Sequence, residues 1–318
     1  MSLNNSVEAG PMADPLLTSD GRYYDVNFFE YRPGQLPSDV LPTSFILCEA
    51  LATLPYPASA RQFLLDVRAK IGLNKALWGV RKAGDVYSLE FYFYYPRANP
   101  CNRLSNVVSV ASRYFAPGLD VIAVEGEEQY YLTSVNMDGE HVTDVTVYES
   151  VISDPDAAFF FADKGLTIDE VTPIFHSYSL ASGGKEKKRI NTYFGFFDPN
   201  SLHQVMRKVH DVACEQFPDE DPLVAYEFLQ YAGRYFRHGI RCRALVASKV
   251  GGMGVYLLGL DIDELINVLE IHDYDEAFIR SIRQHARQLA HVKIDMGMDF
   301  HIRDGRFVVK KTAFWGSV

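Results

Sequence analysis

Residues 86–96 read VYSLEFYFYYP. Aromatic and β-branched residues dominate the run, and nothing in it has a helical repeat, so it is read as a strand. Strand side chains alternate between two faces. Ser88, Glu90, Tyr92 and Tyr94 share one face, and Tyr87, Leu89, Phe91, Phe93 and Tyr95 the other. One face is apolar and aromatic; the other carries a carboxylate among tyrosines. Leu77–Ala83 forms a strand just before it, and Gly84-Asp85 turns the chain between the two.

The same hairpin recurs outward along the chain. Val121–Val135 and His141–Glu149 turn at Asp138-Gly139, and Pro173–Ala181 and Arg189–Phe197 are joined by Ser182-Gly183-Gly184-Lys185. Ile240–Val250 and Val255–Leu260 meet around Gly251-Gly252, and Lys293–Ile302 and Arg306–Trp315 turn at Asp304-Gly305. Between the hairpins lie segments with helical periodicity: Ser59–Ile71, Asn102–Phe115, Asp156–Lys164, Ser201–Phe217, Pro222–Phe236, Asp263–Ile271 and Asp275–Ala290. Five hairpins with helices between them describe one repeated unit.

Ten antiparallel strands need their edges managed, and closure into a barrel removes them. The helices would then cover an apolar outer face and leave the inner face free to be polar. In 189–197 the residues Arg189, Asn191 and Tyr193 share a face; in 307–314 Val308, Lys310, Thr312 and Phe314 do. Under closure Glu90, Arg189, Asn191 and Lys310 point into a tyrosine-lined lumen. A second arrangement fits the same pattern: two-layer α+β sheets with a solvated face, on which Glu90, Arg189 and Lys310 are exposed charges.

Composition narrows the function. The chain has 318 residues, with 31 Lys+Arg against 41 Asp+Glu and a net charge of -10, which argues against nucleic acid or an anionic membrane as partner. Its 47% hydrophobic content supports a sizeable core. No apolar run is long enough to span a bilayer. The first twenty residues lack a basic start and an apolar run, so no signal peptide is expected and residues 1–20 are read as a flexible terminus before a single domain, 21–318. Cys48, Cys101, Cys214 and Cys242 lie far apart without a CxxC, which reads as reduced and cytoplasmic. His203 and His210, seven apart on one helix, read as surface histidines. The acidic residues Asp261, Asp263, Glu264, Asp273, Asp275 and Asp219–Asp221 border helices and read as caps. No GxGxxG, P-loop or GxSxG is present.

The fivefold repeat resembles the soluble aromatic prenyltransferases of the ABBA (PT-barrel) class. YSLEFYFYYP resembles their second strand, KKRINTYFGFF the return strand of their third hairpin, and FVVKKTAFW their final strand, with an inward lysine that holds diphosphate. ALWGV in the first hairpin and GGMGVYLLGL in the fourth also fit, the latter best to the branch acting on cyanobacterial peptides. Met253-Gly254-Val255-Tyr256 stands where the phenol-prenylating branch has an arginine, and His141–Val145 lacks a lysine expected there; Arg241 or Arg243 would replace one of these cations. The resemblance implies a ten-stranded antiparallel barrel with a solvent-filled lumen inside a ring of helices.

It also implies transfer of a dimethylallyl or geranyl group from an allylic diphosphate to an indole, a phenol or an aromatic peptide side chain. Arg189, Asn191, Arg241, Arg243 and Lys310 would hold diphosphate. Tyr92, Tyr94, Tyr193, Tyr256 and Phe314 would shield the allylic cation and line the acceptor pocket, because aromatic faces stabilise cations. Glu90 has three readings: a Mg²⁺ ligand, a hydrogen-bond acceptor for the aromatic substrate, or an ion-pair partner inside the barrel. The protein is expected to be a monomer or weak dimer. Two other functions fit the residues: a barrel that binds a hydrophobic small molecule without catalysis, and an interaction protein built on an α+β sheet.

Overall fold

The computed structural model describes residues 40–71, 76–94, 100–122, 130–151, 173–181, 187–198, 200, 202–218, 227, 230–231, 233–235, 243–303 and 306–317. The expected terminus 1–20, the helix 156–164, most of 222–236, Asp219–Asp221 and Arg241 lie outside them.

Ten strands form a closed antiparallel barrel: β1 Ala76–Ala83, β2 Val86–Tyr94, β3 Tyr130–Asp138, β4 His141–Ser150, β5 Phe175–Ser179, β6 Lys188–Phe196, β7 Arg243–Lys249, β8 Gly252–Leu260, β9 Ile294–Arg303 and β10 Arg306–Ser317. Each strand pairs with its neighbours in sequence, and β1 pairs with β10 to close the ring. With β1 paired to β10, no strand keeps an unpaired edge. Gly84 and Gly139 turn two of the hairpins at φ 58° and 59°, a region where a Cβ is strained.

Outside the barrel lie α1 Ser44–Thr53, α2 Ala58–Lys70, α3 Leu104–Ala111, α4 Leu202–Gln216, α5 Ile262–Ile271 and α6 Glu276–Gln284. The apolar strand faces meet them. Leu89, Phe91 and Phe93 of β2 pack in one cluster with Phe63 and Leu64 of α2 and Val107 of α3, while Val246, Val255 and Met298 pack with Val205 and Val209 of α4. The helices expected from periodicity are present where described, and α6 ends earlier than expected. Helix α1 has no amphipathic stripe; it lies over β1, β10 and α6 with Ile46, Leu47 and Ala50 fully buried. The acidic caps are as expected at α5, where Asp261 and Glu264 form a capping box, and at α6, where the Asp275 side chain accepts from the amides of Ala277 and Phe278. Among the described residues no helix is long and apolar enough to cross a membrane.

Register shifts interrupt the ladders beside Lys310 on β10 and Ile190 on β6. An extra residue in a strand changes which face its neighbours occupy. These two shifts decide much of the lumen's composition.

Candidate functional site

Inside the barrel, one aromatic residue from each even-numbered strand reaches the same level: Tyr92, Tyr148, Tyr193, Tyr256 and Trp315. Adjacent rings contact around a complete circuit, with centroids 6.1, 5.8, 6.0, 5.6 and 6.4 Å apart. Layers drawn from alternate strands are what strand tilt in a closed barrel produces. The ladder shows how the belt fits. On one side each belt residue pairs with Leu77, Leu132, Phe175, Leu245 or Asp295; on the other it pairs with Ser134, Ser177, Ala247, Gly297 or Gly79. The large partners form a floor and the small ones leave room for the rings. A Cβ on Gly79 would lie 2.4 Å from Trp315, and one on Gly297 2.5 Å from it.

The belt separates two cavities. The lower, of 80 Å³, is apolar and lined by the four floor residues Leu77, Leu132, Phe175 and Leu245, with Leu258 and Asp295. The upper, of 300 Å³, is polar and lined by Glu90, Ser134, Asn136, Asp144, Thr146, Asn191, Lys249, Asp299 and Lys311 among others.

Two ion networks occupy one wall of the upper chamber. Glu90 is 4% exposed; its Oε1 accepts from Arg81 at 2.8 Å, and its Oε2 accepts from Tyr92 at 2.9 Å and from the Trp315 indole at 3.2 Å. Arg81 also pairs with Asp138. Asp299 lies between two lysines, Lys249 at 2.6 Å and Lys311 at 3.1 Å. Burial pushes the Glu90 carboxyl up, but Arg81 and Lys311 pull it below its ordinary value; Asp299 is likewise pushed up by burial and held low by Lys249 and Lys311. Burial holds the phenols of Tyr92, Tyr148 and Tyr256 well above their usual range, so they present neutral rings. The Lys249 ammonium stands 5.4 Å over the Tyr256 ring.

Of the residues expected at the site, Glu90, Tyr92, Asn191, Tyr193 and Tyr256 line the upper chamber together. Asn191 donates to Ser177 at 2.9 Å and to the Tyr193 hydroxyl at 3.0 Å. Tyr94 lies in the interior beyond the belt, packed on Tyr131.

The others are placed elsewhere. Lys310 does not face inward: it is exposed and donates to the Gly251 carbonyl at 3.1 Å, because the shift beside it turns Lys311, Ala313 and Trp315 to the lumen. Phe314 is consequently on the outer face, against Trp78, Tyr274 and Phe278. Arg189 is exposed opposite Tyr178, since the shift at Ile190 takes it off the face of Asn191. Arg243 shares the alternation of Lys249 but lies six residues away along β7, about 20 Å, at the other end of the barrel.

The ion-pair reading of Glu90 is the one its contacts match, with Arg81 as partner in place of Arg189 or Lys310. None of these contacts is with a second carboxylate. Among the described residues no group of three His, Cys, Asp or Glu is gathered around a common point either.

Sequence reasoning missed Arg81, Asp144, Tyr148, Lys249, Asp299, Lys311 and Trp315. Two signals were available. Extending the alternation of Arg243 reaches Lys249, and the spacing Glu90-x-Tyr92 recurs as Thr146-x-Tyr148, Asn191-x-Tyr193, Gly254-x-Tyr256 and Ala313-x-Trp315.

No protein-family model and no curated protein sequence matches the chain. Among solved structures, it is similar to AnaPT from Neosartorya fischeri, with a TM-score of 0.55 and 10% identity over 87% of this chain and 92% of that one. A 6-dimethylallyl tryptophan synthase aligns at a TM-score of 0.49 and 13% identity, over 86% and 93% of the two chains. The first likeness, with the closed ten-stranded barrel inside helices, defines the fold as the ABBA or PT barrel.

Proposed function

We propose that the chain transfers a prenyl group from an allylic diphosphate to an electron-rich aromatic acceptor held in the barrel. The observation that carries this reading is the closed belt of five aromatic rings directly beneath a chamber containing Lys249 and Lys311. Breaking the carbon–oxygen bond of an allylic diphosphate leaves a diphosphate anion and an allylic cation. Lys249 and Lys311 line the chamber where the anion needs preorganised positive charge, and Arg81 pairs with Glu90 of its wall. The belt offers neutral π-faces to the cation and keeps water from it. An acceptor lying against the belt then attacks the allylic carbon, with much of the acceleration coming from the enforced approach.

The test is direct. Purified protein is incubated with dimethylallyl or geranyl diphosphate and with indole or phenol acceptors, and pyrophosphate and prenylated product are measured. Release of pyrophosphate with product supports transfer; absence of both with every pairing refutes it.

One observation favours the second reading, a barrel that only binds a hydrophobic molecule: the chamber cations Lys249 and Lys311 are already engaged by a carboxylate, Asp299, which they share. Binding of an apolar dye, unaffected by diphosphate, would support that reading.

A further inference from the structure

The chamber is electrically lopsided. Its carboxylates Glu90 and Asp299 each hold a cation, and those cations come from β1, β7 and β10. Across the barrel, Asp144 on β4 also lines the chamber, yet among the described residues its oxygens accept from two hydroxyls alone, Thr146 at 2.9 Å and Ser179 at 2.7 Å. Among the described residues no Lys, Arg or His pairs with it. Its direct ladder partner is Asn136, which lines the same wall. The Asn136 amide oxygen is buried and, among the described residues, has no hydrogen-bond partner. Side chains directly opposite on antiparallel strands stand about 5 Å apart. A carboxylate and an amide oxygen therefore stand on one wall of the chamber, and among the described residues no charged donor meets them.

We propose that Asp144, with Asn136 beside it, selects the aromatic ligand of the chamber by accepting hydrogen bonds from a protonated amine on it. The ligand class is an aromatic compound with an ammonium-bearing arm. Its ring lies on the belt and its charge meets β3 and β4, away from the lysines. The ammonium supplies the counter-charge that this wall lacks, and a carboxylate arm would meet like charge instead. The identification of this ligand as the prenyl acceptor rests on the transfer reading above; its selection by charge does not.

Three probes separate the possibilities: tryptamine, tryptophol and indole-3-propionate, which share an indole and end in an ammonium, a hydroxyl and a carboxylate. Binding to the full chain is measured by calorimetry at neutral pH. Tryptamine is expected to bind about tenfold or more tightly than tryptophol, the worth of one charge-assisted hydrogen bond, and indole-3-propionate weakest. Asp144→Asn is expected to erase the tryptamine preference and leave tryptophol affinity unchanged. Equal affinities in the unmodified protein overturn the proposal, whether or not the variant folds; so does a preference that survives Asp144→Asn. Pyrophosphate release, followed in separate samples with dimethylallyl diphosphate, judges the transfer reading independently. A preference without release keeps Asp144 as a ligand-selecting residue and, once geranyl diphosphate also gives no release, ends prenyl transfer; release without a preference overturns the Asp144 proposal and leaves prenyl transfer standing.

Discussion

Asp299→Asn perturbs the centre of the chamber's charge. The carboxylate is fully inside the barrel and holds Lys249 at 2.6 Å and Lys311 at 3.1 Å. An amide oxygen satisfies part of that hydrogen bonding and none of the charge, leaving two ammoniums to repel each other in a half-closed space. Removing one member of a buried ion network costs about 3–5 kcal/mol. At about 2.1 cal/mol/K per residue, unfolding of 318 residues carries an entropy near 0.67 kcal/mol/K, so each kcal/mol moves Tm by about 1.5 °C. The variant should melt about 5–7 °C lower. Inorganic pyrophosphate should then bind it more tightly than the unmodified protein, because the lysines no longer have to exchange an internal carboxylate for the ligand. At a hundredfold excess over Kd, binding restores about 2.7 kcal/mol, or about 4 °C. Differential scanning fluorimetry with and without pyrophosphate, plus calorimetric titration, reads both effects. An unchanged Tm together with a pyrophosphate shift no larger than that of the unmodified protein would refute both the Asp299 clamp and the anion site.

The shift on β10 predicts that Lys311→Ala weakens pyrophosphate binding about tenfold while exposed Lys310→Ala leaves it unchanged; the opposite ranking in a titration would reverse the inferred strand phase. Gly79→Ala places a methyl 2.4 Å from Trp315, and overpacking of about 1–3 kcal/mol should lower Tm by about 2–5 °C and alter tryptophan emission, whereas identical melting and emission would deny the close contact in the belt. Outside the barrel, burial, with Arg234 and Lys82 nearby, lowers His272 to about 4, and its ring lies 2.6 Å from the Tyr235 hydroxyl. Because the folded value lies below the unfolded one, this stabilisation is present above about pH 6.5 and is lost as pH falls toward 4, at most about 3 kcal/mol; His272→Gln should flatten that part of the stability profile measured by urea denaturation. Glu90 and Asp299 are also depressed, so their contribution is present above about pH 4 and disappears on further acidification, and Glu90→Gln should remove its share of the acid-induced loss in the same assay.

Much of the architecture is written in local pattern. The alternation of 86–96 separates Leu89, Phe91 and Phe93 from Glu90 and Tyr92, and the structure puts the first set under helices and the second in the lumen. The turns at Gly84 and Gly139 and the caps at Asp261 and Asp275 are equally local, since each needs only neighbouring residues. Helix α1 was illegible because apolar residues lie on its outward side (Phe45, Leu51, Ala52) as well as its buried one (Ile46, Leu47, Ala50), so no stripe reveals it.

The strand sequences thus determined the repeat, the hairpins and the separation of apolar from polar faces, because a period of two depends only on the geometry of one strand. Tertiary structure decided which members of those faces share a chamber. Single-residue shifts at Ile190 and Lys310 exchange Arg189 and Lys310 for the outside, bring in Lys311 and Trp315, and send Phe314 beneath the helices. Pairing Asp299 with two lysines, and leaving Asp144 opposite them, requires strands distant in sequence to meet around a closed barrel, and no pattern within one strand encodes that meeting.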